Sequence, residues 1–154
     1  MSHPGVKYKR IAGDVPAPRR AHANDGGVDL TAYTIDEPGD GSSPFCISPG
    51  ERRTYRTGIA VAIPDGYVGL LFGRSSLGVK RGLDPANAVG VIDAGYRGEI
   101  IVQLRNTTGH IQRVELGERI AQLVVVPVDI TQWAEVDDLE DSDRGDGGFG
   151  STGN

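Results

Sequence analysis

Apolar and polar residues alternate with a period of two along much of the chain, in short runs. The runs "VKYKRI" (6–11), "VDLTAY" (28–33), "TYRTGIAVAI" (54–63), "YVGLLF" (67–72), "EIIVQL" (99–104) and "RIAQLVVVPV" (119–128) are rich in β-branched and aromatic residues. That composition suits strands, and the alternation in "VKYKRI" suits a half-buried one. Between the runs lie "EPGDGSSP" (37–44), "PDG" (64–66) and "TTGH" (107–110), whose Gly, Pro, Asp and Ser favour tight turns. Only "SSLGVKR", beginning at Ser75, suits a helix, and a short one. The expected fold is therefore all-β: a jelly roll or distorted β-barrel, closed enough to manage its strand edges, with one short helix.

The pattern stops near residue 134. "EVDDLEDSD" (135–143) reads as a solvated acidic linker, and "RGDGGFGSTGN" (144–154) follows it. Glycine loses more backbone freedom on ordering than any other residue, so this last stretch forms no stable helix or strand on its own. The expected division is a β domain over 1–134, then a linker and a flexible glycine-rich C-terminal arm over 135–154. Two readings of the arm stand side by side. It is a disordered tail, or it orders only over a ligand, with Arg144 meeting an anion and Phe149 covering something flat.

The 154 residues make one domain of ordinary size, and 23 glycines with nine prolines agree with many turns and little helix. A net charge of −5 argues against a general nucleic-acid binder. No apolar run approaches the ~20 residues needed to span a membrane, and no secretory signal follows Met1. A lone Cys46 rules out an internal disulfide, so the expected location is a reducing cytoplasm. Cys46, between Phe45 and Ile47, reads as a small buried hydrophobe, and Trp133 as a packing residue. "NTT" (106–108) matches a glycosylation acceptor but has no secretory context. His3, His22 and His110 are too scattered to suggest a zinc site. "DSDRGDGG" fails as a calcium loop, because Gly145 stands where an oxygen ligand is required and Thr152 where a glutamate is.

Five stretches are candidates for chemistry. "GRSSLG" (73–78) follows a strand and opens the helix, where free N–H groups, hydroxyls and an arginine fork suit an anion; the same residues also make an ordinary capped helix with a surface arginine. "NAVGVIDAGYRGE" (87–99) suggests a hairpin whose glycines let backbone approach a ligand closely. Within it Asp93 follows two apolar residues, as a carboxylate that is partnered or used, or as a turn aspartate bonding its own backbone. "DGGVDL" (25–30) places Asp29 among apolar neighbours on a strand, and Gln122 interrupts the apolar run of "GERIAQL" (117–123). The terminal arm is the fifth.

Taken together, in this order and spacing, the five stretches resemble the motifs of the trimeric dUTPases across residues 25–153. The resemblance implies a jelly-roll homotrimer with active sites shared between subunits, no nucleic-acid or membrane partner, and Mg²⁺-dependent hydrolysis of dUTP to dUMP and pyrophosphate. That reaction keeps uracil out of DNA and supplies dUMP for dTMP synthesis. Asp93 would be the general base toward water, and Asp29 would hold the metal through water. Arg74, Ser75, Ser76 and Gln122 would bind phosphate oxygens. Asn87, Gly90 and Val91 would read the uracil edge, and Tyr96 would lie against the deoxyribose, excluding a 2′-hydroxyl. Arg144 would reach the γ-phosphate, Phe149 would stack on uracil, and Gly150, Ser151 and Thr152 would close the arm over the nucleotide.

Two departures set up alternatives. Gly73 stands where the family usually has proline, and "GRSSL" leans toward the dCTP deaminases of the same fold, some of which are bifunctional and carry dCTP through to dUMP. Deamination, however, needs a glutamate as proton shuttle where this chain has Gln103, and a neutral amide cannot shuttle a proton. The other alternative is a regulatory nucleotide-binding protein of the same fold, acting through the 34–47 loop; loss of Asp93 or Arg144 would mark it, and both are present.

Overall fold

The computed structural model describes residues 5–38, 41, 43–143, 145 and 146. Its longest strand, β5 (Arg52–Ala62), organises one sheet. On one side β5 pairs antiparallel with β9 (Glu99–Asn106), which in turn pairs with β7 (Leu83–Pro85). On the other side it pairs first with β3 (Thr34–Ile35) and then with β1 (Lys7–Arg10). The change of partner coincides with an irregularity in the β5–β9 register between Arg56 and Ala60. There Gly58 adopts φ +68, and a Cβ on it would meet Val15 at 2.5 Å. Glycine is thus required twice over, by conformation and by space.

The second sheet has the order β2 (Gly27–Thr31), β11 (Arg119–Pro127), β6 (Tyr67–Phe72) and β8 (Gly90–Ile92). A small ribbon joins β4 (Cys46–Ile47) to β10 (Gln112–Arg113). The single helix α1 (Ser75–Arg81) ends on Gly82, whose left-handed φ of 61 lets its N–H return to Gly78. Both large sheets contribute to one core: Leu30, Leu71, Ile120 and Leu123 from one, Tyr55, Ile59, Ile100, Val102 and Leu104 from the other. In β9 the alternation is strict, with Ile100, Val102, Leu104 and Asn106 inward. No helix among the described residues is long and apolar enough to cross a membrane.

Four local expectations need correction. Strand β1 is exposed at all four positions rather than half-buried, because it is an edge strand with only β5 beside it. Val6 and Tyr8 open onto a 530 Å³ groove. Residues 87–99 do not form a hairpin ladder, since β8 pairs with β6 and β9 pairs with β5 and β7 in the other sheet. Trp133 is 97% exposed because it lies beyond β11, where the chain has left both sheets. Cys46 is only partly buried, in the short ribbon.

Asn106 is wholly buried, which by itself excludes a glycan there. Its amide donates to the carbonyls of Ile47 (2.8 Å) and His110 (2.7 Å) and accepts from Thr108 N (2.9 Å) and Thr108 Oγ1 (2.8 Å). A buried amide with every partner supplied locks the 107–110 turn to the end of β9 and to the β4 strand of the small ribbon. Asn106→Ala is expected to cost about 2–4 kcal/mol, since carbonyls and N–H groups at the site lose their partners; thermal or urea unfolding against the native protein checks it.

Candidate active site

One cross-strand row assembles the phosphate-binding candidates. In the ladder, Asp29 of β2 faces Gln122 of β11, and Gln122 faces Phe72 of β6. Period-two alternation therefore puts Asp29 and Gln122 on a common face, while Gly73 and Arg74 continue directly from Phe72. Gln122 Nε2 donates to the Gly73 carbonyl at 2.9 Å. Its Oε1 lies over Gly27, where a Cβ would sit only 2.5 Å away. Gly27, which sequence reasoning passed over, and Gly73, noted there only as a departure from the family pattern, thus hold the amide from opposite sides.

Arg74 stands at the N-cap of α1 in an extended conformation, with no side-chain cap bond. Its Nε donates to Asp29 Oδ1 at 2.8 Å, and its Nη1 to Ser76 Oγ at 3.1 Å. Asp29 Oδ2 accepts from Arg119 Nη1 at 2.9 Å. Asp29 is largely buried, its side chain 13% exposed, and a carboxylate removed from water in this way needs such partners. Asp29, Arg74, Ser75 and Gln122 line a 300 Å³ cavity with Ala21, Asp25, Gly26 and Gly27. Ser76 Oγ accepts from Arg74, which leaves its O–H free to donate.

The remaining candidates form a second cluster. Val91, Asp93 and Tyr96 line a separate cavity of 260 Å³ with Ile92, Glu99, Ile100 and Ile101. Asp93 is exposed, directly after β8, and its carbonyl accepts from Tyr96 N at 3.0 Å. Tyr96 donates to the Glu99 carbonyl at 2.9 Å, and its ring lies so close over Gly98 that no side chain fits there. Glu99 is fixed in turn by Gly58 N at 2.7 Å and Arg56 at 3.2 Å. Gly90 packs on Leu71, where a Cβ would meet Leu71 Cβ at 3.1 Å. Beside exposed Asn87, Ala88 adopts φ 62, a left-handed conformation uncommon for a non-glycine residue and not legible in the sequence.

The two cavities share no lining residue. β2 and β8 are the outer strands of a four-stranded sheet, roughly 14 Å apart at the usual interstrand spacing. Arg144, Phe149, Gly150, Ser151 and Thr152 lie outside the described residues. Among the described residues no group of three or more His, Cys, Asp or Glu could hold a metal directly. A magnesium ion carried by phosphates does fit. Each Asp29 oxygen takes one arginine N–H and keeps further lone-pair capacity for a water of the ion's shell.

Known proteins similar to this chain identify its family. The family model for dUTPase matches residues 14–153. The deoxyuridine 5'-triphosphate nucleotidohydrolase of Thermobifida fusca is 47% identical over 149 residues, covering 96% of this chain and 78% of that protein. The enzyme of the same name from Rhodococcus erythropolis is 46% identical, covering 98% and 87%. The dUTPase of Staphylococcus bacteriophage 80alpha, solved with dUPNHPP, superposes with a TM-score of 0.83 at 30% identity, covering 98% of this chain and 99% of that one.

The tight fit around Gly73 generates a test. A Cβ at this position would meet Pro85 Cδ at 2.9 Å, with little give in a proline ring. Gly73→Ala is expected to destabilise by about 1–3 kcal/mol and to shift the carbonyl that anchors Gln122; a drop in melting temperature with weakened nucleotide binding is the readout.

Proposed function

The chain belongs to the dUTPase family, and from that premise we propose that its hydrolysis of dUTP to dUMP and pyrophosphate is carried by Asp93 acting across a subunit boundary from the Asp29–Arg74–Gln122 corner. The observation that carries the reading is the separation of the two clusters within one chain. A homotrimer with shared active sites supplies what a single chain lacks, bringing the base and uracil slot of one subunit to the phosphate corner of another.

In this reading Asp93 accepts a proton from water as the water oxygen bonds to the α-phosphorus. The bond from that phosphorus to the bridging oxygen breaks, and pyrophosphate leaves. Asp93 has no hydrogen-bond partner for its carboxylate among the described residues, as suits a group waiting for water. Arg74, Ser75 and Gln122 bind phosphate oxygens, holding the chain of phosphates in line. Mg²⁺, when bound with the triphosphate, neutralises charge and polarises the phosphate, with Asp29 touching its water shell.

Uracil is read by backbone groups at Gly90 and Val91 with Asn87, and the ring of Tyr96 excludes a 2′-hydroxyl. Arg144 reaches the γ-phosphate and Phe149 stacks on the base, while Gly150, Ser151 and Thr152 complete the closed arm. The division of the chain at residue 134 then separates a β domain from a tether and closing arm. The working location is the cytoplasm. Deamination is not proposed: Gln103 donates its amide to Thr54 Oγ1 at 3.2 Å and offers no titratable proton.

Incubation with Mg²⁺ and, separately, dUTP, dCTP, dTTP and UTP is expected to give dUMP and pyrophosphate from dUTP alone. Asp93→Asn should retain nucleotide binding while kcat falls about a hundred- to ten-thousand-fold; near-normal turnover would remove Asp93 from the base role. A chain ending at Asp143 is expected to stay folded and trimeric, by light scattering, with little activity. Full activity of that truncated chain would make the arm a mere tail.

A further inference from the structure

The sequence marks Gln122 as the functional residue of "GERIAQL" and passes over Arg119, which regular alternation would put on the opposite face of β11 from Gln122. The ladder departs from regular alternation at this point. Arg119 pairs with Thr31 and Ala121 pairs with Leu30, with a register shift between them. Ile120 and Ala121 both turn into the core, each 0% exposed, and the extra residue brings Arg119 onto the face of Asp29 and Gln122.

There Arg119 touches the phosphate corner twice. Its guanidinium donates to Asp29 Oδ2 at 2.9 Å, and its carbonyl accepts from Arg74 Nη1 at 3.4 Å. Arg74 meets Asp29 through Nε alone, and its Nη2 makes no hydrogen bond among the described residues. An unopposed carboxylate takes an arginine fork with both oxygens, through two parallel N–H bonds. Oδ2 is held by Arg119 and accepts from neither Nη of Arg74, so the fork stays open.

We propose that Arg119 is a positioning residue for triphosphate binding: by holding Asp29 Oδ2 it keeps Asp29 from closing bidentately on Arg74, and so leaves Arg74 an N–H pair for a phosphate oxygen. The Asp29 ion-pair group then carries one net positive charge, two guanidinium groups against one carboxylate. Removing Arg119 lowers that charge and lets Asp29 quench Arg74. The proposal rests on the placing of the triphosphate at this corner.

The test is a double-mutant cycle read by calorimetric titration with dUMP and with a nonhydrolysable dUTP analogue. Arg119→Met is expected to weaken the analogue about tenfold, the loss of a charge-assisted contact, with dUMP affinity and melting temperature nearly unchanged. In steady state KM for dUTP rises more than kcat falls. In an Asp29→Asn background the same substitution has a clearly smaller effect, because only the lost charge remains to act. Arg119→Lys, which keeps the charge, recovers most of the affinity and carries the test if the Met variant does not fold. Equal losses for dUMP and the analogue, or a full effect in the Asp29→Asn background, overturn the positioning role while leaving the site in place. An Arg74→Ala variant that binds the analogue normally overturns the placing of the triphosphate, and the role of Arg119 with it.

Discussion

The site hangs on one row of cross-strand pairing, Asp29 to Gln122 to Phe72, which aligns β2, β11 and β6 at a single level. Side chains alternate along each strand, so a slip of one residue would move Asp29 or Gln122 to the core face. Burial forbids the slip. Leu30, Ala121, Leu123 and Leu71, the immediate neighbours in the row, are all buried, so each candidate polar group is outward because its neighbours must be inward. The hydrophobic effect that builds the sheet thus also registers the site, with no energy spent on the polar groups themselves.

The row would be unfavourable if its charges were left alone. Asp29 is mostly removed from water, and its two arginine partners make the burial tolerable. Pairing one carboxylate with two guanidinium groups satisfies the carboxylate and leaves the cations under-satisfied, the condition needed where an anion is to be received. A one-to-one pair would have been neutral and saturated. In the second cluster the opposite holds. Asp93 is exposed and has no partner among the described residues, and backbone turns rather than ion pairs set the cradle around it. Glu99 is spent on Gly58 and Arg56, which makes it a fastening between β9 and β5 at their register irregularity rather than a second base.

Much of this was legible before any coordinates. The six long runs correspond to β1, β2, β5, β6, β9 and β11; apart from the exposed edge strand β1, period-two patterning survives there because one face of the strand is buried. The helix begins at Ser75 as expected, since glycine at 73 and 82 brackets the only helical stretch. What escaped were features that short-range pattern does not encode. β3, β4 and β10 are two residues long and exist only through pairing with distant partners. β8 crosses to the other sheet, a choice made by tertiary contact between Gly90 and Leu71 rather than by the turn after it. Arg119 was hidden by a bulge, which reverses the face a residue points to without changing the letters around it. The adjacent pair Ile120–Ala121, apolar where alternation calls for one polar position, was the available signal.

Net charge illustrates a different limit. The formal −5 argues against a nucleic-acid surface, yet it is a sum, and its distribution is uneven. Six carboxylates fall within 135–143 alone; removing them from −5 leaves the rest of the chain at +1. The β domain is therefore close to neutral, and Arg74 and Arg119 make a positive corner on it, with Arg19 and Arg20 bordering the neighbouring groove. Local potential, not total charge, governs the approach of a small anion at physiological salt, because the screening length of about 8 Å is shorter than the domain. The sum therefore says little about the corner: the excess of carboxylates sits in the tether, while two guanidinium groups around Asp29 set the potential that a triphosphate meets.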